Sequence, residues 1–382
     1  MKPVDYYAGR EQTYIKHFFL ERYLERVTYK IGSFAQKFVY VDGFSGPWKS
    51  ADEAFEDTSF VIAVKKLREV VARLSSINRH PSVRCLFIEK DPKAFRTLQR
   101  AVEGTSDIAI ELLNGEFDKL VPDITRFIGN DFALTFIDPT GWTGFGLRRI
   151  ERLLRVRGEV IVNFMFDHIN RFLERPGPEY AETFDELFGG AGWNDAIKPG
   201  RHREERTLAL YQDRLRTIGD YEYVTSTRIL KPLSDRSYFY LVYGTRHPEG
   251  ILEFRSVEKK AVREQERVRL EAKQRSRVFR TGQAELFGAV DMTNGNLGFT
   301  EEKEFRLRGA RERLLELLED NERIPFEEAR PRILELPLVW EADFKDLILA
   351  LRHEGRLEIE GMSSRQRRPQ VGHVLVRIAG KG

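Results

Sequence analysis

Three acidic residues stand directly after apolar runs and have types and positions that could do chemistry. Asp42, Glu89 and Asp138 each follow a run of β-branched, aromatic and other apolar residues. Such runs are typical of strands buried on both faces of a parallel sheet. Open α/β sheets bind their ligands outside the carboxyl ends of these strands. We therefore predict that the three carboxylates border one crevice.

The first of these acids opens a glycine-bearing turn. Asp42, Gly43, Phe44 and Gly46 follow the apolar run at 38–41. Glycine lets backbone N–H groups approach a bound molecule because it has no Cβ. The pattern predicts a cofactor-binding turn, and ordinary strand-to-helix punctuation is the alternative.

Polar residues after the second and third predicted strands suit a nucleoside. The carboxylate of Glu89 has two oxygens that can accept from the two hydroxyls of a ribose. An exposed acid paired with Lys90 is the alternative at that position. Asn114 and Glu116 follow the third strand, where an adenine edge would lie. Taken alone, these two cannot be told from ordinary loop residues.

The pair Asp138-Pro139 is the most informative. A carboxylate and a proline carbonyl offer two acceptors without a proline N–H to compete. Two acceptors can hold both hydrogens of an exocyclic amine and localise its lone pair for attack. Trp142 has the right type to stack on a base taken out of its helix. We therefore predict Asp138, Pro139 and Trp142 as catalytic residues; a routine turn is the alternative, since Asp-Pro often opens one.

The elements that position these residues alternate along the first part of the chain. Apolar periodicity predicts helices at 10–29, 58–75 and 208–218 and strands at 83–88, 108–112, 132–137 and 159–164. This alternation indicates an α/β protein with a Rossmann-like, doubly wound, mainly parallel sheet. We expect an antiparallel pair at 221–230 and 238–245 to close one edge.

Three side chains near these elements have predicted roles in structure. On the first helix Lys16 and His17 could reach a ligand, but we expect both to be solvated charges. Asp57 has the position of an N-cap for the helix at 58–75.

A polar segment follows the fifth strand. Asp167 and His168 could assist proton removal, and Arg171 could hold a phosphate. The alternative is a capped helix with a structural arginine. Residues 180–193 are expected to cover the site.

Composition limits the class of protein. The chain has 382 residues, 41% of them hydrophobic, and its 63 Lys and Arg against 60 Asp and Glu give a net charge of +3. This length indicates about two domains, and any basic surface must be local. The single cysteine, Cys85, excludes an internal disulfide or Cys-based metal site and is typical of a core thiol. Because no apolar stretch could span a bilayer, we expect a soluble, cytoplasmic protein with no membrane contact. We also expect no metal site, because no cluster of carboxylates with a nearby lysine stands out.

The C-terminal third differs from the rest in charge. Residues 254–287 carry ten basic and five acidic side chains. This composition is typical of a helix that lies along a phosphate backbone. A solvated helix with charges around its surface is an equal alternative. Residues 288–298 have the composition of a linker.

The last eighty residues have the pattern of a winged helix. Helices are predicted at 301–319, 325–334 and 341–353, and strands at 357–359 and 374–378. Arg365, Arg367 and Arg368 lie between the two strands, where a basic wing suits a nucleic-acid backbone or minor groove. The third helix carries acids at Glu341, Asp343 and Asp346, which oppose major-groove reading. Docking to a protein is therefore an equal alternative.

Four motifs in series carry a resemblance to a known family. YVDGFSGPW (40–48), FIEKD (87–91), FIDPTGWTGF (136–145) and NFMFDHINRF (163–172) resemble the three-Cys-motif partner protein family, TcmP, over about Tyr14 to Glu249. The resemblance implies a class I, S-adenosylmethionine-dependent methyltransferase-like domain. It also implies a partner, a radical-SAM-like protein with a three-cysteine motif.

The resemblance assigns roles by position. Asp42, Gly43, Phe44 and Gly46 fall on the cofactor turn, Glu89 on the ribose acid and Asn114 near the adenine loop. Asp138 and Pro139 fall on the catalytic loop of amino-methyltransferases. The chain departs from that pattern at Trp48, where a second glycine is usual, and at 140–142, where a second proline and an aromatic residue are usual. An acidic loop at 47–57 also separates the turn from its helix.

The sequence thus predicts a methyltransferase-like domain at 1–250, a basic helix and linker at 251–298, and a winged helix-turn-helix domain at 299–382. The leading hypothesis is an S-adenosylmethionine-dependent methyltransferase that acts on an amino group of a nucleic-acid base. The alternative is a non-catalytic adaptor that binds nucleic acid and the three-Cys-motif partner.

Overall fold

The chain divides into two compact units, Met1–Arg246 and His247–Gly382. The computed structural model describes residues 1–46, 55–173, 178–198, 200, 202–281 and 297–378. Trp48 and most of the acidic loop at 47–57 lie outside these residues, as does most of the predicted linker at 288–298.

A seven-stranded sheet forms the centre of the first unit. Its strands are β1 (Lys37–Asp42), β2 (Ser82–Glu89), β3 (Ala109–Asn114), β4 (Phe132–Ile137), β5 (Gly158–Phe164), β6 (Tyr223–Leu230) and β7 (Ser237–Thr245). They lie in the order β3-β2-β1-β4-β5-β7-β6. Strands β1 to β5 are parallel to one another, and β7 is antiparallel to both β5 and β6. The predicted mainly parallel sheet with an antiparallel edge pair is confirmed, and it is consistent with a Rossmann-like methyltransferase fold.

Helices cover both faces of this sheet. They are α1 (Glu11–Phe34), α2 (Ser59–Ser76), α3 (Pro92–Val102), α4 (Val121–Ile128), α5 (Glu151–Leu154), α6 (Phe166–Leu173), α7 (Pro178–Phe188), α8 (Trp193–Ala196) and α9 (Arg203–Gly219), after a short 3-10 helix, Val4–Tyr7. Helices α1 and α2 pack together, and Phe60 of α2 meets Phe87 of β2. On the opposite face, alternate β1 residues such as Val39 and Val41 join the apolar core formed with α4, α7 and α9.

The strand order reverses between β1 and β4. From β1 the chain continues outward to β2 and β3, whereas β4 continues outward to β5 on the other side. A reversal of this kind leaves a crevice outside the carboxyl ends of the two central strands, which is where doubly wound sheets bind ligands. Asp42 ends β1 and Asp138 directly follows β4, so both acids lie at this reversal.

The second unit contains helices and a small sheet. Its elements are α10 (Pro248–Thr281), α11 (Leu297–Asn321), β8 (Arg323–Pro325), α12 (Phe326–Leu334), α13 (Glu341–His353), β9 (Leu357–Glu360) and β10 (Val374–Arg377). The three strands pair antiparallel in the order β8-β10-β9. The predicted helices and strands of this region are present. Strand β8 was not predicted, since three residues are too few to show an alternating pattern.

Helix α10 is not solvated around its circumference. Ile251, Phe254 and Val257 are buried along one face, and Arg255 is buried with them. The arginine donates to Glu258 of the same helix at 2.6 Å and to the carbonyl oxygens of Leu334 and Glu335 at 2.7 and 2.8 Å. One face of the helix is therefore buried, which neither the phosphate-backbone interpretation nor the solvated-helix alternative predicts. Part of its positive charge stabilises the second unit.

Two smaller expectations about the first unit have clear outcomes. Cys85 is fully buried and its pKa is raised by burial, so the prediction of a core thiol is confirmed. Asp57 is not the N-cap of α2; Thr58 holds that position, and its hydroxyl donates to the carbonyl of Phe55 instead of accepting from the helix. None of the helices in the described part of the chain is apolar over a length that could cross a bilayer.

Candidate functional site

The turn after β1 is held by its own hydrogen bonds. The carboxylate of Asp42 accepts from the backbone N–H of Phe44 at 3.1 Å and from the hydroxyl of Ser59 at 2.6 Å. The hydroxyl of Ser45 donates back to the carbonyl of Asp42 at 2.9 Å. Asp42 therefore joins the end of β1 to the start of α2.

Other N–H groups of this turn are also occupied. Gly43 donates to the carbonyl of Phe136 at 2.9 Å, and Ser45 donates to that of Ile88 at 2.8 Å. The ring of Phe117 lies against Gly43, where a Cβ would come within 2.7 Å of it. Glycine is thus needed at this position for contact with Phe117. The N–H groups of Gly43, Phe44 and Ser45 bind protein acceptors, so they are not the donors that a ligand would use.

Asp42 is a buried carboxyl with a perturbed pKa. Burial raises its pKa most, the hydrogen bonds from Ser59 and Phe44 lower it, and the charge of Asp138 raises it again, to about 6 in total. Asp42 ends β1 and Asp138 follows the adjacent strand β4, so the two carboxyl groups stand at neighbouring strand ends. The hydroxyl of Tyr40 is also fully buried, and burial followed by the charge of Asp42 raises its pKa. The end of β1 therefore combines a buried carboxyl with a buried hydroxyl.

Glu89 and Asn114 lie side by side at the ends of β2 and β3. Glu89 is buried, and its carboxylate accepts from the backbone N–H of Asp91 at 2.6 Å. The alternative of an exposed acid at this position is wrong. The amide of Asn114 donates to the carbonyl of Glu89 at 2.7 Å, so Asn114 joins the two strand ends. Contact of either residue with a nucleoside remains a prediction.

Asp138 has two protein partners. Its Oδ2 lies 2.5 Å from the Nζ of Lys16 on α1, and its Oδ1 accepts from the Nδ2 of Asn163 at 2.6 Å. Lys16 is therefore not the solvated charge that we expected. His17 is not solvated either: it is buried beside the Tyr7 hydroxyl, and burial followed by the charges of Lys16 and Arg10 lowers its pKa. Helix α1 thus contributes a cation to the strand-end site.

Asn163 has an unused acceptor beside Asp138. Its side chain is buried near the end of β5, and its Nδ2 donates to Asp138 and, at 3.4 Å, to the Sδ of Met165. Its Oδ1 has no hydrogen-bond partner among the described residues. The opposite amide orientation would place Oδ1 against the Asp138 carboxylate, so the donation to Asp138 fixes the orientation. A buried acceptor without a partner is costly and calls for an explanation.

Trp142 lies in an aromatic cluster. Its ring centroid is 4.7 Å from that of Phe184, 5.2 Å from that of Phe172 and 6.4 Å from that of Tyr180. Only 8% of the residue is exposed. The cluster joins the loop after β4 to α6 and α7, and a base could stack on the ring only if these aromatic neighbours moved. Pro139 is buried directly beside Asp138 in the chain.

The charged residues after β5 form ion pairs. Asp167 lies 2.8 Å from Arg171 and 2.7 Å from Lys231. Burial raises the pKa of Asp167, but the bonds from Lys231 and Arg171 outweigh it and lower the pKa overall. Asp167 therefore stays ionised at neutral pH and is a poor general base. Arg171 is paired with Asp167 and otherwise exposed, so its predicted contact with a phosphate and the alternative of a structural role both stay predictions.

The predicted wing arginines lie in the second unit and are exposed. Arg368 pairs with Asp346 of α13 at 2.8 Å. The other acids of α13 are paired too: Asp343 binds Lys303 at 2.7 Å, and Glu341 binds Lys345 at 2.7 Å. The acids that oppose nucleic-acid binding in the sequence are therefore neutralised locally. Arg365 and Arg367 remain exposed in the segment between β9 and β10.

Sequence reasoning missed three residues of the site in the first unit. Lys16 and Asn163 contact Asp138 directly, and Phe117 packs on Gly43. Nothing in a helical pattern distinguishes Lys16 from its charged neighbours. Asn163 did carry a signal, because a polar amide within an apolar strand needs a partner when it is buried.

The residues at the strand ends fit a nucleoside that carries a positive charge. Asp42, Glu89 and Asp138 supply carboxylates, and Asn163 Oδ1 is an acceptor that lacks a partner. The turn fits less well, since three of its N–H groups already bind protein acceptors. The open group at these strand ends, Asn163 Oδ1, is therefore an acceptor that suits a hydroxyl or amine donor of a ligand. No three His, Cys, Asp or Glu side chains group into a metal site among the described residues.

Comparison with known proteins adds little. No protein-family model matches the sequence, and no curated protein matches it. Two solved structures are similar over most of their own length. Protein LPL1258 from Legionella pneumophila str. Philadelphia 1, of family DUF519, is 13% identical with a TM-score of 0.36 and covers 65% of this chain and 88% of its own. Loganic acid methyltransferase with SAH is 11% identical with a TM-score of 0.30 and covers 69% of this chain and 86% of its own. Scores this low carry no argument about function.

Proposed function

We propose that the chain is an S-adenosylmethionine-dependent methyltransferase of the three-Cys-motif partner type that acts on an amino group of a nucleic-acid base. The observation that carries the proposal is the pair Asp138–Asn163 beside the reversal of strand order. There a carboxylate and an unused amide oxygen lie together at the ends of neighbouring strands. Asp42 and Glu89 end the adjacent strands β1 and β2.

Asp138 and Asn163 are suited to orient an amine. A primary amine on a base has two hydrogens, and the Asp138 carboxylate, the Pro139 carbonyl and Asn163 Oδ1 are acceptors for them. When acceptors hold both hydrogens, the lone pair of the nitrogen is localised and points toward an incoming methyl group. Positioning of this kind can contribute several kcal/mol to a reaction between two bound molecules. S-adenosylmethionine, when bound, would supply that methyl group from its sulfonium and leave as the thioether, and the proton lost by the methylated amine would pass to the Asp138 carboxylate.

Lys16 holds the charge of Asp138 in the proposed site. Its Nζ lies 2.5 Å from Asp138 Oδ2, and both side chains are only 13% exposed. A carboxylate this far from water needs a cation or hydrogen-bond donors to offset its lost hydration. Asp138 therefore accepts from Lys16 and from the Nδ2 of Asn163. The Oδ1 of Asn163 is the acceptor that still lacks a donor among the described residues.

The second unit is proposed as a winged helix that contacts nucleic acid. Its support is the order of elements from α11 to β10 and the exposed Arg365 and Arg367 between β9 and β10. The ion pairs of Glu341, Asp343 and Asp346 remove most of the repulsion that these acids would exert on phosphates. The radical-SAM-like partner is proposed from the sequence resemblance alone.

A non-catalytic adaptor is the second candidate. It is favoured by the turn after β1, where Gly43, Phe44 and Ser45 donate to protein acceptors and Phe117 covers Gly43. In that case the carboxylates would stabilise the fold, and nucleic acid and the partner protein would bind elsewhere.

Transfer of a labelled methyl group separates the two candidates. Homopolymers of adenine, cytosine and guanine nucleotides carry an exocyclic amine, and those of thymine or uracil do not. We expect label in at least one of the amine-bearing polymers and none in the thymine and uracil polymers. Asp138→Asn should lower the rate by about 10²-fold or more, whereas Asp123→Asn, which breaks only an exposed pair with Arg126, should leave it unchanged. Equal rates for wild type and Asp138→Asn would favour the adaptor.

A further inference from the structure

A cavity of about 480 Å³ lies in the first unit at the amino ends of β1 and β2, away from the acids at their carboxyl ends. It is lined by residues 32–37, where α1 ends and β1 begins, and by residues 78–82, which join α2 to β2. The volume lies within the roughly 300–1,000 Å³ of pockets that hold a ligand. Because β1 has six residues, roughly 15–20 Å separate its two ends.

Two connections between a helix and a strand shape this cavity. Gly32, near the end of α1, packs so closely that a Cβ there would lie 2.6 Å from the Cδ1 of Leu74 and 3.1 Å from the Cγ of Pro81. Glycine at this position therefore lets the last turns of α1 and α2 meet. After α2 the chain turns at Asn78, which has a left-handed φ of 60°, as asparagine often has after a helix. The turn brings the residues that follow into the cavity wall.

The titratable side chains of this cavity are all basic. Lys37, Arg79 and His80 line it, and the described residues of its wall include no aspartate or glutamate. The three side chains are exposed, and none of them has a hydrogen bond or an ion pair with another described residue. Basic residues near helix C-termini complement the helix dipole, but that attraction leaves their N–H groups available. The cavity therefore favours an anion.

Exposed apolar side chains border the same cavity. Phe34 lines it and is 69% exposed, and Ile77, which directly precedes Asn78 in the chain, is 55% exposed. Apolar side chains that are exposed together and rimmed by polar residues are typical of a site for another protein. Ile77 has no ring on which a nucleobase could stack. The combination therefore suits a protein segment better than a nucleic acid.

We propose that this cavity binds an acidic segment of a partner protein, with an apolar side chain beside its carboxylates. The carboxylates would accept from Lys37, Arg79 and His80. The apolar side chain would contact Phe34 and Ile77. The partner would dock at the amino ends of the strands and leave the crevice at their carboxyl ends open. Such docking is independent of methyl transfer.

Fluorescence anisotropy of the full chain tests the proposal with a labelled octapeptide in which one leucine and one phenylalanine stand among glutamates. Wild type should bind it more tightly than an octapeptide in which serine replaces both apolar residues. Arg79→Gln should weaken binding about fivefold, the upper value for one exposed charge pair. Phe34→Ser should weaken it about tenfold, because the apolar contact is lost. Both side chains are exposed, so neither change should unfold the protein.

Two substitutions elsewhere in the first unit are matched controls. Arg152 on α5 and Leu233 after β6 are exposed, and neither lines this cavity. Arg152→Gln and Leu233→Ser should therefore bind the octapeptide as wild type does.

Three results would overturn the inference. The first is equal affinity of wild type for the two octapeptides, or equal affinity of wild type and Arg79→Gln for the apolar one. The second is a loss of the same size in Arg152→Gln, because it would show a general charge effect. The third is a single strand of thymine nucleotides that binds wild type more tightly than the octapeptide and loses affinity with Arg79→Gln. That result would assign the cavity to nucleic acid instead.

Discussion

Each unit of the protein contains an ion pair, buried in the second unit and partly buried in the first, and the two pairs differ in how fully the atoms around them are used. In the second unit, Arg255 donates to Glu258 and to two carbonyl oxygens, and the other oxygen of Glu258 accepts from the indole of Trp340 at 3.2 Å. In the first unit, Lys16 and Asn163 both donate to Asp138, but Asn163 Oδ1 has no partner in the described chain.

This difference separates a structural pair from a candidate binding site. A saturated buried pair holds elements together, and it has no capacity left for a ligand. An acceptor left open in a buried position costs stability and persists when a ligand supplies the missing donor. We therefore interpret Arg255–Glu258 as a link between α10 and the segment before α13, and Lys16–Asp138–Asn163 as part of a site.

Removal of one member of the saturated pair should give the largest loss of stability. Glu258→Ala leaves Arg255 buried without its carboxylate, so the second unit should lose roughly 3–5 kcal/mol. Hydrogen exchange of the α12 amides measures this loss. Glu354→Ala, which removes an exposed pair with Arg311, should leave the stability nearly unchanged because water screens exposed pairs. A similar small cost for Glu258→Ala would show that the buried pair is not the link that we describe.

The pH dependence of stability should reveal the buried Asp42. Its pKa is about 6 in the folded chain and 3.8 in the unfolded chain, so the folded state binds more protons between these values. Stability should therefore fall by up to about 3 kcal/mol as pH rises from 4 to 6.

Chemical denaturation of wild type and Asp42→Asn across this range measures that effect. The variant should lack the fall and be the more stable protein at pH 7, unless the lost hydrogen bonds from Ser59 and Phe44 offset the gain. An identical pH profile in the two proteins would show that Asp42 is not the titrating group.

Removal of the open acceptor should affect activity much more than stability. Asn163→Leu keeps a similar volume and loses one hydrogen bond to Asp138, so the free energy of unfolding should change by only about 1 kcal/mol. Methyl transfer should fall about tenfold or more, because one amine hydrogen loses its acceptor.

Thr28 provides the matched control. Its hydroxyl is also buried without a partner among the described residues, but it lies on α1 and we assign it no ligand. Thr28→Val should leave methyl transfer unchanged. A large loss of stability in Asn163→Leu, with activity intact, would show that Asn163 stabilises the fold, as Glu258 does, and does not bind the amine.

The sequence predicted the sheet well because buried parallel strands leave continuous apolar runs. The runs before Asp42, Glu89 and Asp138 all became adjacent strands, and their acids lie at the predicted ends. The pairing of Lys16 could not be predicted, since it depends on how α1 lies on the sheet. The same holds for Arg255, whose partners include backbone carbonyls 79 and 80 residues away along the chain.

Trp142 and Phe117 show a different limit. A sequence indicates that an aromatic residue stands after a strand, but it does not indicate whether its ring faces a ligand or other rings. Trp142 packs against Phe184 and Phe172, and Phe117 packs on Gly43. Both contacts involve residues from elements that pattern analysis places only approximately.

The central claim is that the crevice beside Asp42, Glu89 and Asp138 binds a nucleoside that carries a sulfonium. Calorimetric titration of the full chain with S-adenosylmethionine tests it most directly. We predict saturable binding at one site, weakened about tenfold or more in Glu89→Gln, because a neutral amide is a poorer acceptor for the two ribose hydroxyls. The absence of heat and of any thermal shift with folded wild-type protein would contradict the claim.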